Sequence, residues 1–264
     1  MAILHSPAER RYCSERGLPL VDRPAHERLR EMFLFINYIH LSASSCARTH
    51  KRMLSWIPQS AGFTVWDMGE WEKDDWDATD YGRPYNFNRP FFDQFDELFR
   101  AVPIYNLSNV VATMENSEFT NCIVNAKNSY LCFECNGIED SLYCFSMHKC
   151  RDAIESTSVA RSELCYRCFN IAECYNVLFV EDSSGCSDSA FLSNCIGCKH
   201  CFGCVNLTRR EFCYFNEQLS AEEYRRRIVS HALDTTAGLT GTRFAFEKFV
   251  ATFPKRAAFV SQCA

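Results

Sequence analysis

From residue 117 onward, small or apolar residues recur at every third position of the chain. In rows of twelve residues these positions align into four columns, and all thirteen cysteines from Cys132 to Cys213 fall in that frame of three. The first column is Ser117, Ser129, Ser141, Ala153, Cys165, Val177, Ser189, Cys201 and Cys213. A fixed period of this length is the signature of a repeat architecture, in which each repeat stacks on the next.

An Asn or Asp residue stands before the first column in most rows, as at Asn116, Asn128, Asp140 and Asp152. These residue types turn the backbone through short side-chain hydrogen bonds. A helix does not account for the columns, because a period of three residues drifts against about 3.6 residues per turn. The pattern predicts a mainly β fold: a β-solenoid of about eight twelve-residue coils, in which one residue in three points inward and successive coils pair about 4.8 Å apart.

The predicted coil leaves little room inside. Twelve extended residues span at most about 40 Å, so a four-sided coil has edges of about 10 Å. Small inward side chains such as Cys, Ser and Ala fit this interior, and a buried free thiol behaves as a compact hydrophobic group. The geometry resembles the twelve-residue-coil antifreeze solenoids of insects, although the paired Thr ladder that those proteins present to ice is absent from this sequence.

Composition and charge narrow the functional classes. The chain has 264 residues, 47% hydrophobic and 23% charged, with seventeen cysteines and a formal net charge of −5. This balance is typical of a globular protein, and it gives no overall positive field to bind nucleic acid. No run of about 18 apolar residues predicts a membrane span, and the first residues do not resemble a secretory signal. We therefore expect an intracellular protein with no nucleic-acid partner.

Aromatic residues flank the small columns and are predicted to stack into a stripe along one side of the solenoid. The members of this predicted stripe are Tyr130, Phe133, Tyr143, Phe145, Tyr166, Phe169, Phe179, Phe191 and Phe202. A contiguous apolar patch on a protein surface is usually covered. The cover is either the N-terminal segment of the same chain or another protein, in which case the stripe is an interaction surface.

Three regions follow from the changes in composition. Residues 1–100 are predicted to form an α+β head with helices at 22–41 and 89–100, residues 101–216 the solenoid, and residues 217–264 a capping helix and a tail. The helix at 89–100 is expected to begin at an Asn88 cap and to close the first coil. Its expected buried face is Phe91, Phe92, Phe95, Leu98 and Phe99. Ser220 and Glu223 form a capping box that opens the C-terminal capping helix.

Several motifs resemble the Cys-rich repeat proteins encoded by uncultured bacteria. They are WDATDYGRPYNFNRPFFDQFDELFRAVP, NSYLCFEC, SDSAFLSNCIGCKHCFGCVNL and FNEQLSAEEY, and the resemblance covers roughly residues 45–228. It implies a zinc-ribbon-like head in front of a Cys-rich array, with no established reaction. The family carries paired Cys-x-x-Cys knuckles in the head, whereas this chain has Pro24-Ala-His-Glu27 at one pair and only Cys46 at the other. Zinc in the head is therefore not expected.

Cys195, Cys198, Cys201 and Cys204 have the spacing C-x2-C-x2-C-x2-C, which is typical of zinc and iron–sulfur sites. The solenoid frame gives the same spacing to four inward thiols without a metal. Structural thiols and no cofactor are the leading interpretation, with a zinc or iron–sulfur site as the alternative. Disulfides between residues six apart, such as Cys144 and Cys150, are a third interpretation.

No catalytic residue is predicted. Nucleophilic catalysis needs an exposed thiolate, and the sequence has no phosphate-binding glycine loop, Ser elbow or His-Glu-x-x-His motif. We expect a non-catalytic structural or interaction protein, without a small-molecule substrate, that docks through its aromatic side and tails. Its partners are proteins of a larger assembly, such as a virion or an organellar complex, or further copies of itself. The alternatives are a zinc or iron–sulfur thiolate protein and a carbohydrate-active solenoid enzyme.

Overall fold

The structure is a computed structural model that describes residues 7–15, 17, 20 and 38–254. The chain divides into two units, Met1–Asn37 with Ala251–Ala264 and Tyr38–Val250. The described helix of the first unit is α1, Pro7–Glu15. The helix predicted at 22–41 and the end of the predicted tail lie mostly outside the described residues.

A small α+β head precedes the solenoid in the second unit. β1 (Ser42–Ser45) and β2 (Arg52–Ser55) pair antiparallel, and β3 (Val65–Trp66) pairs in parallel with β4 (Ile104–Tyr105). Between β3 and β4 lie two helices, α2 (Met68–Trp71) and α3 (Phe91–Ala101). Edge-to-face contacts among Trp66, Trp71, Trp76 and Tyr105, with ring centroids 5.1–5.7 Å apart, hold the head together.

Helix α3 is present where the sequence predicts a helix, but its surroundings differ. Pro90 precedes its first turn without a side-chain cap, so the expected Asn88 cap is wrong. The expected buried face is also wrong, because no residue of α3 is buried and Phe92 is 78% exposed. Phe91, Phe95 and Phe99 stack on one another along the helix at 5.8–5.9 Å. The amphipathic spacing correctly predicted the helix, but it did not predict that the apolar side of the helix is exposed.

The β-solenoid prediction is confirmed. Its strands are β5 (Met114–Glu115), β6 (Asn121–Lys127), β7 (Phe133–Glu139), β8 (Phe145–Ile154), β9 (Thr157–Ala160), β10 (Glu163–Tyr166), β11 (Phe169–Ala172), β12 (Tyr175–Ser184), β13 (Ser187–Ser193), β14 (Phe202–Val205), β15 (Cys213–Tyr214) and β16 (Glu217–Gln218). From β5 to β15 the pairing is parallel and joins residues twelve apart, as Ile123 with Cys135 and Cys135 with Met147. Every third residue from Ser117 to Cys204 is buried.

Every coil is built on left-handed backbone. From Cys122 to Phe215, the residue before each inward position has a φ between 45° and 70° without exception. Asn, Asp and Gly adopt this region most readily, but Tyr143, Arg161 and Phe179 also hold it here. The Asn/Asp column recognised in the sequence is one of four such columns. The left-handed residue turns the chain once per triplet, which directs the following side chain inward.

Inward side chains also complete the hydrogen bonding of the backbone. The N–H groups of outward residues donate to carbonyls of neighbouring coils. Leu142 N–H donates to the Ala153 carbonyl of the next coil at 2.9 Å, and Tyr143 N–H donates to the Tyr130 carbonyl of the preceding coil at 2.9 Å. An inward N–H meets a side chain instead, since Ala153 N–H donates to Ser141 Oγ at 3.3 Å. Ser141 Oγ in turn donates to the Glu139 carbonyl at 2.9 Å. One inward hydroxyl therefore links two successive coils.

This inward bridge recurs along the solenoid. Five further serines accept the N–H of the residue twelve positions later at 3.0–3.2 Å: Ser117, Ser156, Ser162, Ser183 and Ser189. Thiols take the same role, because Cys174 Sγ donates to the Ala172 carbonyl at 3.4 Å and the backbone of Cys186 donates to its sulfur. Serine and cysteine are thus both small enough for the narrow interior of the solenoid, which we call the shaft, and able to bridge its coils.

The two ends of the solenoid are closed in different ways. Buried Asn109 replaces the missing coil at the start: its Oδ1 accepts Ile123 N–H at 3.2 Å, and its Nδ2 donates to the Thr120 carbonyl at 3.0 Å. At the other end β16 pairs antiparallel with β15.

Helices follow the last strand. α4 (Ala221–Val229) begins at Ser220, whose Oγ accepts Glu223 N–H at 3.2 Å, so this half of the predicted capping box is present. The buried ring of Tyr224 on α4 packs against Phe212 at 5.8 Å, which covers the final coil. The last helix of this unit is α5, Thr236–Val250. Among the described residues no helix is both long and apolar enough to cross a membrane.

A bulky residue inside the shaft should prevent folding. Cys168 is 2% exposed, so Cys168→Trp has no space for an indole and should abolish the cooperative unfolding transition. Far-ultraviolet circular dichroism and size-exclusion chromatography measure the outcome. The matched change Lys199→Trp, on an exposed outward position, should stay folded. A folded Cys168→Trp protein would contradict the narrow interior.

The inward bridge makes a second prediction about Ser141. Ser141→Ala leaves the Ala153 N–H and the Glu139 carbonyl without this partner and should lower the free energy of unfolding by about 1–3 kcal/mol. Ser141→Cys keeps a bridging heteroatom and should lose clearly less stability. Urea unfolding of both variants against the wild type measures the difference. Equal losses for Ala and Cys would mean that size alone selects the inward residues.

Candidate functional site: the thiol shaft and the aromatic face

All four cysteines of the candidate metal site point into the shaft. Cys195, Cys198, Cys201 and Cys204 are 0% exposed, and their thiols are free. Hydrogen bonds from Cys186, Cys195 and Cys201 lower the pKa of Cys198, and the same bonds raise the pKa values of the three donors.

The close approach of these thiols does not by itself form a metal site. In the part of the chain that the structure describes, no group of three or more His, Cys, Asp or Glu residues is arranged to hold a metal ion. The four thiols also donate to backbone carbonyls, as Cys198 does to Ile196 at 3.7 Å and Cys204 to Phe202 at 3.3 Å. Binding of zinc or an iron–sulfur cluster at these four thiols stays a prediction.

The head thiol occupies a different environment. Burial opposes the ionisation of Cys46, but hydrogen bonds from the Thr49 side chain and from the backbone of Asp67 outweigh it and lower the pKa of the thiol. Asp67 N–H lies 3.3 Å from Cys46 Sγ. Thr49 therefore serves as a hydrogen-bond partner of the Cys46 thiol.

Two thiols in the body of the shaft, Cys135 and Cys150, are poor nucleophiles. Burial raises the pKa of Cys135 to about 12 and also raises the pKa of Cys150. A thiol attacks as its thiolate, so these groups are protonated and unreactive near neutral pH. Their arrangement supports packing and coil-to-coil bridging rather than chemistry.

Most of the predicted stripe lies on one flat side of the solenoid. Two adjacent outward columns, which we call the aromatic face, contain Phe119, Tyr130, Leu142, Tyr143, Ile154, Tyr166, Leu178, Phe179, Phe191, Phe202, Tyr214 and Phe215. The rings contact one another from coil to coil, with centroids 5.4 Å apart for Phe119 and Tyr130 and 4.8 Å apart for Phe179 and Phe191. Phe133, Phe145 and Phe169 of the predicted stripe stand in an outward column of the next side, beyond an inward column.

Helix α5 covers the C-terminal end of the aromatic face. Phe246 lies 5.8 Å from Phe191, and Phe249 lies 5.2 Å from Phe215. Phe191 and Phe202 are each 1% exposed as a result. Gly203, at φ 67°, makes room for this packing, because a Cβ there would lie 2.8 Å from the Phe215 ring. The sequence predicted either the N-terminal segment or another protein as the cover, and it did not predict this helix there.

His231 links the covering helix to the face. Its Nε2 lies 2.9 Å from Tyr214 Oη, and its Nδ1 lies 2.8 Å from Thr242 Oγ1 on α5. Its ring packs on Phe202 at 4.5 Å, and burial lowers its pKa. The neutral imidazole suits this position between an aromatic ring and two hydroxyls.

The N-terminal side of the unit touches the neighbouring column rather than the aromatic face. Tyr38 stacks on Phe145 at 6.4 Å, and its hydroxyl donates to Glu134 Oε2 at 2.9 Å. The Tyr38 carbonyl accepts a hydrogen bond from Asn121 at 2.9 Å. This contact covers part of the predicted stripe at Phe145.

The remainder of the aromatic face is open. We call this part the open aromatic face and define it by its exposed apolar residues: Phe119 (45%), Tyr130 (41%), Tyr143 (52%), Ile154 (36%) and Leu178 (36%). Five coil spacings separate its ends, a length of about 24 Å. One ion pair crosses it, in which Arg167 binds Glu155 and lies over the rings of Tyr166 and Phe179.

The chain was compared with protein-family models and with curated proteins. No protein-family model matches it, and a search of curated proteins finds no match. The resemblance to Cys-rich repeat proteins therefore stays a prediction. The function has to be argued from the surfaces of the molecule.

The buried thiols predict how stability depends on pH. The pKa of Cys135 is about 12 in the folded chain, above its value in the unfolded chain, so its contribution is complete at neutral pH and decreases at alkaline pH. Unfolding should become easier between about pH 8.5 and 12, by up to about 1.4 kcal/mol per pH unit for each such thiol. Urea unfolding at pH 7, 9 and 10 measures this, with Cys135→Ser as the control. The control should show a shallower decrease, and an identical slope would contradict the assignment.

Proposed function

We propose that this chain is a non-catalytic structural or interaction protein that docks by its open aromatic face into a larger protein assembly. The observation that carries the proposal is the continuous exposure of Tyr130, Tyr143 and Ile154 on adjacent coils of the array. Contiguous exposed apolar patches mark interaction sites on proteins, and aromatic residues supply most of the anchors at interfaces.

The covered end of the same face supports this proposal. Phe191 and Phe202 become almost fully buried where α5 lies over them. One column of the face is apolar from Phe202 to Tyr130, and the other is interrupted between Phe119 and Phe191 only by the Glu155–Arg167 pair. A partner that covers the open part would bury the same kind of apolar side chains. Each fully buried aromatic side chain contributes about 1.5–3 kcal/mol of favourable free energy.

A solenoid suits such a role because its surface is preorganised. Parallel pairing fixes each outward residue relative to the residue twelve positions away, as Tyr130 is bridged to Leu142. Side-chain ladders add to this order, since Asn128 Nδ2 donates to Asp140 Oδ1 at 2.8 Å and Asn176 Nδ2 to Asp188 Oδ1 at 2.9 Å. A partner therefore meets side chains that lose little freedom on binding.

The proposed assembly is a particle such as a virion or an organellar complex, or an oligomer of the chain itself. These share one requirement, which is that the open aromatic face is covered in the working state. The chemistry of the shaft does not enter the interaction, because its thiols are buried.

Removing the aromatic anchors tests this function. Tyr130→Ser combined with Tyr143→Ser removes two exposed rings without changing an inward residue. In extracts of the native source, the tagged wild type should elute as a species well above 30.5 kDa, and the double variant should elute as the free chain. Size-exclusion chromatography with light scattering makes the measurement.

The control variant is Tyr175→Ser, which removes a half-exposed tyrosine from a different side of the solenoid and should elute with the wild type. A wild-type chain that elutes at 30.5 kDa in native extracts would overturn the proposal. A large species that persists in the double variant would show that another surface carries the assembly.

A further inference from the structure

The charge around the open aromatic face points to the kind of partner it fits. We propose that its occupant is a basic amphipathic α-helix, which lies on the face with its apolar side inward and its Lys or Arg side chains at the edges. This inference rests on the proposed function and adds the chemistry of the partner.

The molecule itself shows that a helix fits this face. Helix α5 lies on the C-terminal coils, where Phe246 packs on Phe191 and Phe249 on Phe215. The side of a coil is three residues, or about 10 Å, and a helix with its side chains is about 10–12 Å across. About 24 Å of open face corresponds to about 16 helical residues at 1.5 Å each.

An extended peptide is the poorer fit. A strand binds by adding to a free sheet edge, where unpaired N–H and C=O groups are available. Here the outward backbone groups already pair between coils, as Tyr130 N–H does with the Ser141 carbonyl and Leu142 N–H with the Ala153 carbonyl. A partner can therefore contact only side chains on this face, and an amphipathic helix binds through such side-chain contacts.

The face and the columns beside it carry a net negative charge. Within residues 116–182, the two columns of the face and the nearest outward column on each side carry five carboxylates and one cation, Arg167, which is paired with Glu155. The carboxylates are Glu118, Asp140, Asp152, Glu155 and Glu181, and all are exposed. Beyond them, Arg151 lies 3.6 Å from Asp152 but makes its shorter bond, of 2.9 Å, to Glu163.

This charge favours one class of partner over another. Complementary potentials speed association and specify partners, whereas like charges placed together cost several kcal/mol. A second copy that docked face to face would bring two such acidic rims together. A helix with Lys or Arg beside its apolar side would meet the rims with opposite charge.

Two synthetic peptides test the proposal. Both are 18-residue helices with the same Leu and Phe side; one carries Lys at the flanking positions and the other Glu. Fluorescence anisotropy with the full chain at 0.15 M salt should give a dissociation constant for the Lys peptide at least about tenfold below that for the Glu peptide, a difference of about 1.4 kcal/mol. The preference should shrink as salt rises.

Variants locate the binding. Tyr130→Ser with Tyr143→Ser should weaken binding of the Lys peptide at least about tenfold. Asp140→Lys with Asp152→Lys should weaken binding of the Lys peptide and strengthen binding of the Glu peptide. Tyr175→Ser and Glu211→Lys, on another side of the solenoid, are the matched controls and should leave both affinities unchanged. Circular dichroism of each variant confirms that it is folded.

The outcomes separate this inference from the proposed function. Equal affinity for the two peptides, or binding that the aromatic variants do not weaken, overturns the basic helix. If neither peptide binds while the native assembly still depends on Tyr130 and Tyr143, the helix is the wrong occupant and the docking function stands. A wild-type chain that is free in native extracts overturns the function itself.

Discussion

The constraint on which the structure depends is the inward N–H group of each triplet. Left-handed backbone at every third residue turns the chain, and the two outward residues of a triplet then bond to carbonyls of neighbouring coils. Where the inward residue one coil earlier is serine or cysteine, the inward N–H meets its side chain, as Ala153 meets Ser141. Inward Val177, Val180 and Leu192 offer no such acceptor. A buried N–H without a partner is costly, so an inward residue that carries oxygen or sulfur stabilises the coil that follows. Serine and cysteine satisfy both this need and the narrow interior, and at the first coil the amide of Asn109 takes their place.

That constraint explains why the solenoid contains so many cysteines. A thiol fills more apolar volume than a hydroxyl while still accepting and donating weak hydrogen bonds. Cys132, for example, donates to the Ser141 carbonyl at 3.3 Å from a fully buried position. A high cysteine content therefore follows from the geometry of the shaft. Outward residues are free of this requirement, so one side of the solenoid can be made aromatic without altering the interior.

The sequence predicted those features that follow from the narrow shaft. The twelve-residue period, the buried columns and the Ser220 cap are all visible because each depends on a residue type at a fixed spacing. Features that depend on a distant partner were not predictable. The apolar spacing of α3 identified an amphipathic helix, but only the tertiary structure shows that Phe92 faces outward. Likewise, nothing local to Phe191 indicates that Phe246 covers it, and only one of the four left-handed columns is rich enough in Asn and Asp to stand out.

The carboxylates beside the aromatic face affect which molecules can cover it. Apolar faces associate unless some feature opposes it, and flat β surfaces are especially prone to pair with their own kind. Carboxylates beside the face, such as Asp140 and Asp152, oppose the approach of a second acidic copy while leaving the rings exposed. In the proposed interaction, the same charges would favour a basic partner and disfavour a second copy of the chain. Charge at the edge would then decide which partner covers the rings, and the apolar columns how tightly it is held.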